Sequence, residues 1–193
     1  MKKLSLMIVI LLVAAFVPLN FAFSAGEKTA KGRIELGGTV DFTHTSYENY
    51  SSTDISILPG IGYFVIPKLS LEPKLLIQHS SYSYESEFLE DYSATHFGAI
   101  LHAVYHFEGA GGSKYVPFLF GGAGFASHSG DVGEADEMTM ILPDIGGGIK
   151  IFVTNDAVIR AALYYQRASN AGGVKDADAS EFGIRAGVSI FVK

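Results

Sequence analysis

From residue 33 onward the chain alternates apolar and polar side chains with a period of two, the pattern of a strand with one face in an apolar medium. In the first stretch Ile34, Leu36, Gly38, Val40 and Phe42 share one face, and Glu35, Gly37, Thr39, Asp41 and Thr43 share the other. The last stretch repeats this, with Phe182, Ile184, Ala186, Val188, Ile190 and Val192 alternating with Gly183, Arg185, Gly187 and Ser189. Read in this way the sequence predicts eight strands, near 33–43, 54–65, 69–80, 95–107, 115–126, 138–152, 156–166 and 181–192. A soluble β-sandwich shows the same period, so alternation alone does not choose between the two.

Length and spacing say more. The predicted strands cluster around ten residues or slightly more, about what a tilted strand needs to cross a bilayer. Their connections alternate in length. Ile66-Pro67-Lys68 and Val153-Thr154-Asn155 are tight turns, and residues 108–114 form a modest glycine-rich one. The other four, near 44–53, 81–94, 127–137 and 167–180, are longer and polar. Short turns on one side and long loops on the other is the asymmetry of an even-stranded membrane barrel with both termini on the turn side.

On the expected outer face, the fourth strand contributes Phe97, Ala99, Leu101, Ala103, Tyr105 and Phe107, and the fifth Val116, Phe118, Phe120, Gly122, Gly124 and Ala126. Aromatics recur near strand ends: Tyr63, Tyr105, Phe107 and Phe152 on the turn side, Phe42, Phe97, Tyr165 and Phe182 on the loop side. They read as two interfacial girdles, without tryptophan.

The opposite face carries charge where a soluble sandwich would place its core. By parity Glu35, Asp41, Glu72, Lys74, Asp144, Lys150, Arg160 and Arg185 point inward, four acids and four bases. Buried charge is tolerated when it is paired, and equal numbers in a narrow lumen allow pairing. The other reading makes these the solvated face of an inside-out soluble sheet. His96, His102 and His106 also share the inward face of the fourth strand. His102 and His106 are separated by about 13 Å at roughly 3.3 Å per residue, too far to chelate one ion together, so hydrogen-bonded lumen histidines are expected.

The start of the chain bears on its compartment. Met1, Lys2 and Lys3 precede an uncharged apolar run from Leu4 to Val17, and Ala22 and Ser24 supply small residues at the −3 and −1 positions of a cleavage site. This is the layout of a secretory signal peptide over residues 1–24, leaving residues 25–193 as one domain. A retained anchor is the alternative, but the apolar core falls short of the roughly 18 to 20 residues needed to span a membrane. Removal of Lys2 and Lys3 takes the formal charge from −6 to −8, a poor balance for nucleic acid. There is no cysteine, so no disulfide scaffold supports the fold.

The segments Tyr115-Val116-Pro117-Phe118-Leu119-Phe120-Gly121-Gly122-Ala123-Gly124-Phe125 and Ile145-Gly146-Gly147-Gly148-Ile149-Lys150-Ile151-Phe152, with the turn from Gly62 to Leu71, resemble the small outer-membrane β-barrel family of OmpX and the OmpA membrane domain. The resemblance spans about residues 32–193 and rests on the number and order of strands. It implies an all-β, eight-stranded antiparallel transmembrane barrel, exported through the periplasm of a Gram-negative bacterium to its outer membrane. Two features depart from the family pattern. Phe191 is followed by Val192 and Lys193, whereas such barrels usually end in a terminal aromatic. Pro59, Pro73, Pro117 and Pro143 fall within predicted strands, where proline removes a ladder donor, and Pro59 and Pro73, symmetric about the turn, are expected to face each other at a distorted site.

A barrel of eight strands is just wide enough for its side chains to fill. The expectation is therefore a plugged lumen, with a structural or surface-interaction role, no catalysis and no cofactor. Implied partners are outer-membrane lipid, lipopolysaccharide and the barrel-assembly machinery, with the barrel itself monomeric. Glu85, Glu87, Glu90, Asp91, Asp131, Glu134, Asp136 and Glu137 give acidic loops that could hold divalent cations or simply be solvated. A narrow OmpW-like channel for small apolar compounds is the alternative, with room left by Gly60, Gly62, Gly146 and Gly148. A lipid-modifying barrel enzyme would need a serine activated by histidine. His44-Thr45-Ser46 and His128-Ser129 are the nearest matches, in no recognisable local pattern.

Overall fold

Period-two segments with one apolar and one charged face satisfy both faces, and the backbone groups along their paired stretches, by closing on themselves. The computed structural model, which describes residues 27–46, 50–84, 91–107, 113–129, 138–169 and 178–192, shows this closure. Its strands are β1 (Ile34–Ser46), β2 (Tyr50–Ile66), β3 (Leu69–Tyr84), β4 (Tyr92–His106), β5 (Tyr115–Ser129), β6 (Met138–Phe152), β7 (Ala157–Ser169) and β8 (Asp178–Val192). Each pairs antiparallel with its chain neighbours, and β8 returns to β1 to complete an eight-stranded barrel.

The strands run 13 to 17 residues and, except for β6, whose bounds agree with the sequence reading, are longer than the alternation predicts. The excess lies on the long-loop side. β1 and β2 stay paired out to Ser46 opposite Ser51, and β3 and β4 out to Tyr82 opposite Tyr92, so much of the expected 44–53 and 81–94 loops is ladder. These ends are rich in hydroxyls on both faces (Ser51, Ser52, Thr53, Ser80, Ser81, Ser83), so the apolar period fades where backbone pairing continues.

The prolines are accommodated in different ways. Pro143 lies in a bulge of β6, where the register shifts between Ile141 and Asp144. Pro59 and Pro73 do not face each other. Ile57 opposite Ile77 and Gly60 opposite Lys74 share one register, which places Pro59 opposite Leu75 and Pro73 opposite Ile61. The two are diagonal neighbours on the outer face.

Outward side chains form an apolar belt, including Val40, Phe42, Leu75, Leu101, Ile184 and Val188, each about half exposed or more. On β8 it runs from Phe182 to Val192, roughly 25 Å for a strand tilted as in a membrane barrel. The fifth strand is turned over relative to the sequence reading. Val116, Phe118, Phe120 and Ala126 are buried inside, and Tyr115 and Phe125 are exposed outside. Phe152, expected in the turn-side girdle, is also buried. With Phe64, Val116, Val158 and Phe191 it forms an apolar floor at the turn end.

The segment before β1 seals that floor. Thr29 is buried and its carbonyl accepts the Lys68 amide at 2.9 Å, while the Gly32 amide donates to the Phe64 carbonyl at 2.8 Å. Lys28 lies over the Phe152 ring at 4.2 Å and Arg33 over the Phe191 ring at 4.9 Å. Phe191 therefore serves the inside of the barrel.

Candidate functional site: the charged lumen

All eight charges assigned inward by parity are inside the barrel and at most 6 % exposed. The structure sorts them into two layers above the apolar floor.

The lower layer centres on Lys150. Its ammonium donates to Glu35 Oε2 at 2.5 Å and to His106 Nε2 at 2.8 Å, and lies 3.7 Å from Glu72 Oε1. An ammonium can only donate, so His106 Nε2 presents its lone pair. The proton then sits on Nδ1, which faces the Lys68 carbonyl at 3.3 Å. Arg160 reaches Glu72 at 3.3 Å and Glu35 at 3.9 Å, and Lys74 reaches Glu72 at 3.3 Å. Ser189 donates to the second Glu35 oxygen at 2.6 Å, and Ser70 donates to Glu72 at 3.3 Å. Glu35, Glu72 and His106 each offer a donor atom within 4.8 Å of the others, a spacing that suits a divalent ion. The Lys150 ammonium is the cation among them.

The upper layer centres on Arg185. Its Nε donates to Asp41 at 2.9 Å, Nη1 to both Asp144 oxygens at 3.0 and 2.8 Å, and Nη2 to Gln166 at 3.2 Å. The planar guanidinium lies 3.9 Å from the Tyr164 ring centroid and 5.7 Å from that of Phe120. His102 is held to Asp144 at 2.9 Å, with its ring tilted against Phe120. Above this layer Tyr164 and Thr43 both hydrogen-bond to Glu181 Oε1.

Parity identified the charges and the histidines, with His96 half-buried in the lumen mouth. It missed the aromatic half of the arrangement. Phe118, with Lys150 at 5.5 Å and Arg160 at 5.3 Å from its ring, falls by parity on the outer face but lies inside. The available signal for the serines is parity: Ser70 lies two residues from Glu72 on the same face, and Ser189, opposite Gly37, is the diagonal neighbour of Glu35. Among the expected loop carboxylates, Asp91 is exposed and accepts from Ser83 at 3.0 Å. Glu85, Glu87, Glu90, Asp131, Glu134, Asp136 and Glu137 lie outside the described residues, as do residues 1–24 and the side chains of His44, Ser46, His128 and Ser129.

A closed eight-stranded sheet with an apolar belt outside and paired charge inside has the fold of the small outer-membrane β-barrels. The chain is similar to the crystal structure of neisserial surface protein A, with a TM-score of 0.55 and 18 % identity over 83 % of this chain and 97 % of that one. It is also similar to that of the outer membrane protein OprG from Pseudomonas aeruginosa, with a TM-score of 0.54 and 12 % identity over 85 % and 97 %. No family model matches the chain, and no curated protein is significantly similar to it in sequence.

Proposed function

We propose that the protein is an outer-membrane barrel with a sealed lumen that acts through its loop-side surface, in a structural or surface-interaction role. The observation that carries this reading is the filling of the lumen. Lys150, Glu35, Glu72 and Arg160 come from four different strands and meet at ion-pair distance directly above an apolar floor. Water and ions would have to displace paired charge to pass. The apolar belt supports residence in the bacterial outer membrane, where lipid and lipopolysaccharide would surround the protein as a monomer, after insertion by the barrel-assembly machinery.

A second reading, a narrow OmpW-like path for small apolar compounds, is favoured by the wall at Pro59 and Pro73. There an open depression of about 680 Å³ in the outer wall is lined by Pro59, Pro73, Ile61 and Leu75 and reaches Gly60, Lys74 and Ile100 of the inward register.

The test is electrophoresis in SDS with and without boiling, followed by planar-bilayer recording and liposome uptake of a small aromatic compound. The sealed reading expects a faster unheated band, no stepwise conductance and no uptake. Uptake without conductance would replace it with the second reading, and stable conductance steps would sink both.

A further inference from the structure

The seam between β1 and β8 is incomplete. Its ladder stops at Asp41 opposite Arg185, yet β1 continues on β2 to Ser46 and β8 begins on β7 at Asp178. Residues 42–46 and 178–184 thus have no ladder partner across this seam, whereas each of the other seams is paired to within a few residues of its loop-side end. Backbone donors and acceptors left unpaired beside lipid call for another hydrogen-bonding group.

The slot has two chemistries. Its outer lips are Phe42, Phe182 and Ile184, all more than half exposed. Its inner side is acidic: the Arg185 donors are distributed over Asp41, Asp144 and Gln166, and Glu181 is held by the hydroxyls of Thr43 and Tyr164. Of the other described cationic and imidazole groups nearby, Lys74 pairs with Glu72 and His102 is held by Asp144. Asp41 is 4 % exposed and its Oδ1 has no hydrogen-bond partner. Glu181 receives the hydroxyls of both Tyr164 and Thr43 on a single oxygen, Oε1.

Phe182 and Ile184 also border an apolar groove of about 590 Å³ along the outer wall. Its floor is thinned by Gly146, Gly147 and Gly148 of β6 and by Ala161 of β7, and Tyr164, which also lines it, donates its hydroxyl to Glu181. Groove and slot thus share Phe182 and Ile184 on the outer face of β8, with Glu181 on the inner face of the same strand.

We propose that this surface binds a single-chain amphiphile with a protonated amine head. The chain lies in the groove against Gly147, and the ammonium enters the slot to donate to Glu181, Asp41 and the unpaired strand edge. A carboxylate head would meet two acids there and be refused. The proposal rests on the membrane placement of the barrel but not on the sealed lumen.

The protein contains no tryptophan, so Phe182→Trp gives a sole reporter at the groove and Phe97→Trp one at the same girdle on the far wall. The full chain in phosphatidylcholine nanodiscs is titrated with 11-bromoundecylamine, whose bromine quenches nearby tryptophan. Quenching of the Phe182→Trp reporter is expected to saturate at an amphiphile fraction at least tenfold below that for Phe97→Trp. Adding Glu181→Gln should remove that preference, and 11-bromoundecanoic acid should quench both reporters alike. Equal titrations of the two reporters by the amine would overturn the site, as would a preference shared by the acid or untouched by Glu181→Gln. Heat-modifiable migration of each variant tests membrane insertion separately, so failure to insert is not confused with failure to bind.

Discussion

Glu35 shows why a buried pair is more easily broken than valued. Its carboxylate receives Lys150 and Ser189 with almost no solvent contact. Replacing the pair by apolar groups can be close to neutral, but removing one partner strands a charge in a low-dielectric interior, at a cost of about 3 to 5 kcal/mol. Lys150 keeps Glu72 at 3.7 Å and His106 at 2.8 Å, so Glu35→Gln is expected to lower stability by up to that amount, and Glu35→Gln with Lys150→Met to recover most of the loss. Urea unfolding of the folded band, read by heat modifiability, checks both. A single variant as stable as the wild type would mean that Lys150 is neutral or satisfied elsewhere. At this scale the charged half of the site was legible from parity, because a charge placed on the lipid side is too costly to be there. The partners were not. Which acid meets which base depends on the stagger between strands, and no residue type encodes stagger.

At the scale of the strand, the glycines of the wall set what the sheet tolerates. A Cβ on Gly148 would lie 2.0 Å from the Ala161 carbonyl oxygen, and one on Gly187 would lie 2.0 Å from that of Gly38. Both obstacles are backbone, which cannot swing aside. At Gly121 the nearest atom is the Ile145 Cγ2 methyl at 3.7 Å, ordinary contact. Gly148→Ala is therefore expected to cost at least 1 to 3 kcal/mol, the usual range for overpacking, whereas Gly121→Ala should stay within about 0.5 kcal/mol. Comparing the temperatures at which the folded bands disappear tests the contrast, and equal losses would contradict it. Strands were recognisable where the two faces differ and ambiguous where they do not. In β5 both parities are apolar, with Val116, Phe118 and Phe120 on one and Leu119, Ala123 and Phe125 on the other. The inward set fills the narrow lumen around Lys150 and Arg160, so an assumption that polar means inside inverts this one strand. The bulge at Pro143 has a similar origin, since it lets Ile141 and Asp144 both point inward despite opposite parity.

At the scale of the molecule, the issue is whether the outer belt faces lipid or is an ordinary exposed surface. The two cases differ most at mid-height, far from either rim. Leu101 and Val188 lie there, 53 % and 67 % exposed, while Ser81 and Ser127 are exposed outward-facing residues near the loop-side ends of β3 and β5. In a bilayer an arginine on the lipid face costs roughly 2 to 4 kcal/mol at the midplane and about 0 to 1 near the interface. On a water-exposed sheet the same substitution at an already exposed position should be nearly neutral at either height. Leu101→Arg and Val188→Arg are accordingly expected to reduce the fraction folded into phosphatidylcholine vesicles severalfold or more, with Ser81→Arg and Ser127→Arg close to the wild type. A flat response with height would remove the membrane from the account altogether. The inward charges would then still be paired as described, but in a soluble barrel, and the open β1–β8 edge would face water that satisfies it at no cost. A graded response fixes the level of the membrane on the wall and puts that open edge at its loop-side margin, where unpaired backbone has to find a ligand.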